Sequence, residues 1–194
     1  MRRRTFDIIV TAIGGLLTII LLVSGGLLLW GYNFANNSVT QQLTAQQIYF
    51  PPKGSPALAS PQIGPYLNQY AGQQLTTGKQ AEAYANHFIG VHLSEVANGQ
   101  TYSQVSSAAQ KDPTNATLKA QQQTLFQGET LRGLLLNAYA FDTIATIALW
   151  AAIASYVGAA IMLVLTILGF IHLRRRTGEE EIFAARAAGT GDTG

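Results

Sequence analysis

Two histidines five residues apart, His87 and His92, with Glu82 and Glu95 beside them, are the side chains of this sequence best suited to hold a metal. His92 and Glu95 stand three apart and share a helix face, as two ligands of one ion must. On an ideal helix, however, five residues turn about 140° past a full circle, so His87 and His92 diverge. Neither the HExxH of zinc proteases nor the Glu-x-x-His pair of di-iron bundles occurs. The expectation is that both histidines pack or face solvent, with no metal and no cofactor. A metal-dependent enzyme using His87, His92 and Glu95 is the alternative.

Other chemistry is thinner. Glu129 and Arg132 are three apart and read as a surface ion pair of little energetic weight. Asp142 reads as a carboxylate at lipid-headgroup level; the sharper alternative groups it with Asn137 and Tyr139 in a polar cluster. Zero cysteine removes disulfides, thiolate metal sites and cysteine nucleophiles. No phosphate-binding glycine loop, dinucleotide fingerprint or G-x-S-x-G elbow is present. Twelve Lys and Arg against ten Asp and Glu leave a net charge of +2, and the arginines flank apolar runs, so nucleic acid is not an expected partner. No catalytic residue is assigned, and the chain is expected not to be an enzyme.

The elements around these residues are dominated by two uncharged runs, which hold the charged fraction to 11% where soluble domains have about 25%. Ile8 to Trp30 is 23 residues without a charge, 14 of them Leu, Ile or Val. As a helix it measures about 34 Å, enough for a hydrocarbon core of about 30 Å. Between Asp142 and Arg174 no formal charge occurs, with an apolar centre from Ile147 to Ile171. Both are read as transmembrane helices. A cleaved signal peptide is the competing reading for the first, but its run is too long and its exit lacks a small-x-small site. An uncleaved anchor is expected.

Arginine placement sets the expected topology. Arg2, Arg3 and Arg4 precede the first span, and Arg174, Arg175 and Arg176 follow the second. Lys53, Lys79, Lys111, Lys119 and Arg132 are dispersed between the spans and balanced by five acids. Positive residues beside span ends stay cytoplasmic, so both termini are placed inside. The divisions expected are a cytoplasmic N-terminus over 1–7, spans over 8–30 and 147–171, an extracytoplasmic domain over 31–146 and a cytoplasmic tail over 172–194, read as disordered. Trp30, Tyr32 and Phe34 fit an outer aromatic belt with Trp150 and Tyr156, while Phe170 and His172 mark the inner boundary.

The segment between the spans is rich in Gln and Ala and poor in branched aliphatics, which favours helices over strands. Asn37 to Phe50 is predicted to continue the first span as a helical stalk ending at Pro51-Pro52. Lys53 to Pro61 is a loop by its breakers. A helix is predicted from Gln62 through Leu75, and another after Gly78 that Asn98-Gly99 stops. Tyr102 to Gln110 is a short helix closed by Asp112-Pro113. One more starts at Thr114, and after Gly128 a separate helix from about Thr130 runs into the second span. The fold class is thus an all-α membrane protein: two transmembrane helices extended as stalks, with a small extracytoplasmic helical domain between them.

Small residues repeat along the second span as Ala151, Ser155 and Ala159, and as Ala154 and Gly158, with Thr11, Gly15 and Thr18 as a matching face on the first. Close backbone approach is what small residues offer in lipid, so the spans are expected to pack on each other.

The segments Gln47–Pro52 (QIYFPP), Ala83–Ile89 (AYANHFI) and Glu129–Tyr139 (ETLRGLLLNAY) resemble an uncharacterised family of two-pass membrane proteins of actinobacteria. The resemblance runs from the first span through the second and leaves out the tail. Some members are labelled aromatic ring-opening dioxygenase, a label that implies a histidine-rich iron site; this sequence has three histidines, one at the inner membrane boundary. The resemblance implies a membrane location and no established activity. The expected partners are the lipid bilayer and another membrane or envelope protein, with the chain as an accessory subunit.

Overall fold

The computed structural model describes residues 3–175; 172–175 of the expected tail are the end of a helix, and the rest of the tail, with Arg2 and Arg176, lies outside the described residues. Every regular element described is helical; among the described residues the only extended pairing is one antiparallel bridge, Tyr49 with Gln74. Helix α1 covers Arg3–Ala45, and α7 covers Ala116–Arg175. At 43 and 60 residues, they measure about 64 and 90 Å at helical rise. Both are long and apolar enough to cross a membrane. Between them lie α2 (Pro56–Ala59), α3 (Gly64–Leu67) followed by a 3₁₀ turn (Asn68–Tyr70), α4 (Gly78–Tyr84), a π turn (Ala85–Ile89), α5 (Gly90–Val96) and α6 (Tyr102–Lys111). The chain divides into two compact units, one of Met1–Trp30 with Ala148–Gly194 and one of Gly31–Ile147.

In the first unit the two helices run antiparallel. A Cβ placed on Gly169 would meet Thr11 Oγ1 at 2.6 Å, and one on Gly14 would meet Thr166 Oγ1 at 2.8 Å. Further along, Gly158 faces Leu21, and Gly25 lies 3.1 Å by the same measure from the Tyr156 ring. Each glycine therefore receives a side chain of the opposite helix. The buried positions Thr11, Thr18 and Gly25 are seven apart on α1, as are Ala152 and Ala159 on α7. That repeat is the seam of a left-handed helix pair. The hydroxyls in it are satisfied locally: Thr18 donates to the Gly14 carbonyl (2.9 Å), Ser155 to Ala151 (2.9 Å) and Thr166 to Met162 (2.7 Å).

The second unit has an ordinary apolar core, built on Phe50, Leu67, Leu75, Val105, Leu125 and Leu135, all 2% exposed or less. Thr77 and Thr101 each open a helix with a complete capping box, partnered by Gln80 and Gln104. Gln80 is buried and hydrogen-bonded at both ends of its amide: its Oε1 accepts from the Thr76 and Thr77 amides, and its Nε2 donates to Gln73 Oε1.

Three expectations are corrected here. First, α1 stops at Ala45 rather than Phe50. Gln47 takes a left-handed conformation (φ 52°), and the Phe50 amide donates to the Gln73 carbonyl. Pro51 disfavours a helical Phe50, and the extended turn delivers that ring to the core. Second, the helix predicted from Gln62 to Leu75 is broken into α3 and a 3₁₀ turn, because Gly72 reverses the chain at φ 73°. Its apolar spacing survives as burial, with Ile63, Leu67 and Leu75 all in the core. Third, Gly128 does not interrupt α7. Its missing side chain makes room for Leu93, which a Cβ there would strike. Elsewhere Asn98 (φ 51°) and Gly99 (φ 78°) end α5, and Asp112 closes α6, as predicted. A four-residue helix, α2, sits inside the predicted 53–61 loop.

Candidate functional site

The π turn over Ala85–Ile89 organises the polar chemistry of the second unit. Its i→i+5 bond runs from the Gly90 amide to the Ala85 carbonyl, and single π turns in otherwise α-helical segments are frequent at functional positions. The extra residue changes the spacing on which the sequence reading of His87 and His92 rested, since residues five apart come closer to one face than on an ideal helix. Their rings nonetheless go to separate partners. His87 stacks flat on Tyr66, with centroids 3.5 Å apart and planes within 4°. His92 lies against Phe88 (4.6 Å) and places Nδ1 2.8 Å from the Phe88 carbonyl. A carbonyl only accepts, so Nδ1 is the donor in this contact. Glu95 is exposed on the following helix. Among the described residues no three His, Asp or Glu side chains converge on a point that could hold a metal ion.

Arg132 reaches the π turn from α7. Its Nη2 donates to Asn86 Oδ1 (3.3 Å), and its Nη1 pairs with Glu129 at 3.4 Å. The ion pair expected from the sequence is present and partly exposed, a setting in which such pairs add little stability. The guanidinium lies over Gly90, where a Cβ would stand in ordinary contact with Arg132 Nε at 3.7 Å. That Nε is buried and has no hydrogen-bond partner. Beside this patch runs an aromatic ladder in which Phe50 contacts Tyr70 (5.2 Å) and Tyr84 (5.4 Å, edge-on), and Tyr84 contacts Phe88 (4.8 Å). Burial raises the Tyr84 hydroxyl above its ordinary pKa, so it stays a neutral donor well above neutral pH.

Asp142 is half-buried against Gly78, the first residue of α4, where a Cβ would collide with its carboxylate arm. A carboxylate at a helix start is favoured by the orphan amides there. Asn137 is exposed and Tyr139 half-buried on α7.

In the first unit, Ala159 is buried, and Gly15, Ala151 and Ser155 are half-buried. Gly14, Ala152 and Gly169 join them at the seam and were missed by a search for four-residue spacing; the seven-residue repeat finds Ala152. Tyr156 covers Gly25. Of the topology residues, Arg174 and Arg175 end α7 and Arg3 and Arg4 open α1. The three segments that carry the family resemblance meet one another: Phe50 of the first touches Tyr84 of the second, and Asn86 of the second bonds Arg132 of the third.

Comparison with protein-family models, curated proteins and solved structures finds no match to this chain.

Proposed function

We propose that this chain is a two-pass protein of the cytoplasmic membrane, with both termini cytoplasmic and a helical domain outside. That domain serves as a non-enzymatic, partner-binding subunit of an envelope complex. The observation that carries the partner-binding reading is a stripe on α7. Phe126, Leu134, Phe141 and Ile144 recur along one face of that helix and are each more than half exposed. Helical phase keeps them within about a quarter-turn over some 27 Å. These four large exposed apolar side chains, with exposed Thr130 and Asn137 among them on the same face, are what supports an interaction surface. The membrane reading is supported by the first unit, where Leu16, Ile19, Leu27, Val157, Ile161 and Val164 are all more than half exposed. The placing of the chain with the actinobacterial two-pass family rests on the resemblance of the three segments alone.

Two experiments test this. A cysteine introduced at Ser60 or Ser103 should react with an impermeant maleimide in intact cells, and one at Thr190 should not; labelling at Thr190 alone reverses the topology. A photo-crosslinking residue at Phe141 should give a discrete protein adduct in native membranes, with none from Thr124, which is exposed on α7 and turned about 120° away from the centre of the stripe. Equal, diffuse capture at both positions would remove the partner-binding reading.

A further inference from the structure

We infer that the first unit is built for a bilayer with a hydrocarbon thickness of about 30 Å, standing upright in it with Trp30 and Trp150 together in one interface and Asp7 and Arg174 together in the other. The inference rests on the membrane reading above and goes beyond it, because it fixes depth and orientation from the helix register.

The contacts of Gly25 with Tyr156 and of Gly158 with Leu21 set the level of each helix against the other. Trp30 lies five residues beyond Gly25, and Trp150 lies six before Tyr156. At 1.5 Å per residue the two indoles come within about 2 Å of one level. They are also the only tryptophans in the sequence, and they are 68% and 66% exposed. Indole rings prefer the headgroup boundary, where an apolar body and an N–H donor are both accommodated.

The other end closes in the same way. Thr11 faces Gly169, Asp7 lies four residues before Thr11, and Arg174 lies five after Gly169. The first charges on the two helices therefore also come to one level, again within about 2 Å. From Trp30 to Asp7 the axis measures about 35 Å, and from Trp150 to Arg174 about 36 Å. These lengths exceed a hydrocarbon core of about 30 Å and fall short of the 40–45 Å that includes both headgroup layers. Both boundaries therefore reach the headgroups without tilt. Between them the described residues of both helices carry no Asp, Glu, Lys or Arg, and most of the large side chains on the outward faces are Leu, Ile and Val.

The test uses the full chain in phosphatidylcholine vesicles whose lipids carry bromine either near the headgroup or near the chain end. Trp30→Phe and Trp150→Phe each leave a single indole. The expected result is that shallow bromines quench both variants more than deep ones, with the same shallow-to-deep ratio in the two. If the chain floats with the vesicles but one indole is quenched best by deep bromines, or one is quenched by neither, the common level is wrong while the membrane reading stands. If the chain does not float with the vesicles at all, the membrane reading itself fails. Should a variant not insert, the unaltered protein still decides: one level gives a single quenching profile across bromine depth, and two levels give a broadened one.

Discussion

The two units obey opposite rules with the same two helices. In the first, the residues turned inward are Thr11, Gly14, Thr18, Ala152 and Ala159, while Leu16 and Leu27 are 58% and 65% exposed. In the second, α1 turns Val39 and Leu43 inward and α7 turns Leu125 and Leu135 inward, all buried, while Gln41, Gln42, Gln123 and Gln127 face out. Water rewards the burial of large apolar side chains. Lipid does not, because its tails are as apolar as leucine, so helices there associate through close backbone packing and small residues mark the seam. On the membrane reading proposed above, the change of inward residue along a single helix is a record of a change of solvent.

The largest expected effect comes from carrying the water-side rule to its limit. Phe50→Ala removes a ring that is 2% exposed and touches Tyr70 and Tyr84, and should cost about 3–5 kcal/mol in denaturant unfolding of the detergent-solubilised protein. Leu16→Ala, a comparable truncation in the first unit, should be nearly silent. Next comes the lipid-side rule. Gly14→Leu and Ser155→Leu add bulk at the seam and should each destabilise the pair by about 1–3 kcal/mol, read as earlier thermal aggregation, whereas Leu163→Ile, at a position 49% exposed, should change nothing. If Gly14→Leu were tolerated as well as Leu163→Ile, the seam would not be a close-packed contact.

Smaller again is the loss of one helix cap. Thr77→Ala breaks the capping box on Gln80 and should cost about 1 kcal/mol, confined to the second unit. The smallest effect is a dependence on alkaline pH. The Tyr84 pKa is raised by burial, so folding favours its protonated form. That contribution is fully present below the unfolded value of 10.0 and is lost as pH climbs through the higher folded value. Tyr84→Phe should flatten that alkaline limb of a stability–pH curve; an unchanged limb would assign it to other groups.

Much of this was legible beforehand. The uncharged runs announced both long helices, and Asn98-Gly99 and Asp112-Pro113 ended helices where turn chemistry said they should. What misled was glycine. Gly128 carries the signal of a break but serves as a socket for Leu93, and Gly72 carries the same signal and does break the chain. Composition alone cannot separate the two roles, since the difference lies in a partner 35 residues away in sequence for Gly128 and in a positive φ for Gly72. The π turn left no mark on the apolar periodicity. The T-x-x-Q capping boxes, by contrast, were written in the sequence at Thr77 and Thr101 and passed over. In the candidate site, the Glu129–Arg132 pair followed from helix spacing, but its link to Asn86 is a contact across 46 residues that no local pattern announces.

The reversal of solvent between the units is tested most directly by nitroxide accessibility in reconstituted vesicles. The chain has no native cysteine, so single labels can be placed cleanly at Ile20, Leu163 and Ser103. At Ile20 and Leu163 the label should collide readily with dissolved oxygen and hardly at all with a water-soluble nickel chelate, and at Ser103 the preference should invert. Nickel collisions at Ile20 and Leu163 as frequent as those at Ser103 would place water on both faces and contradict a lipid origin for the small-residue seam.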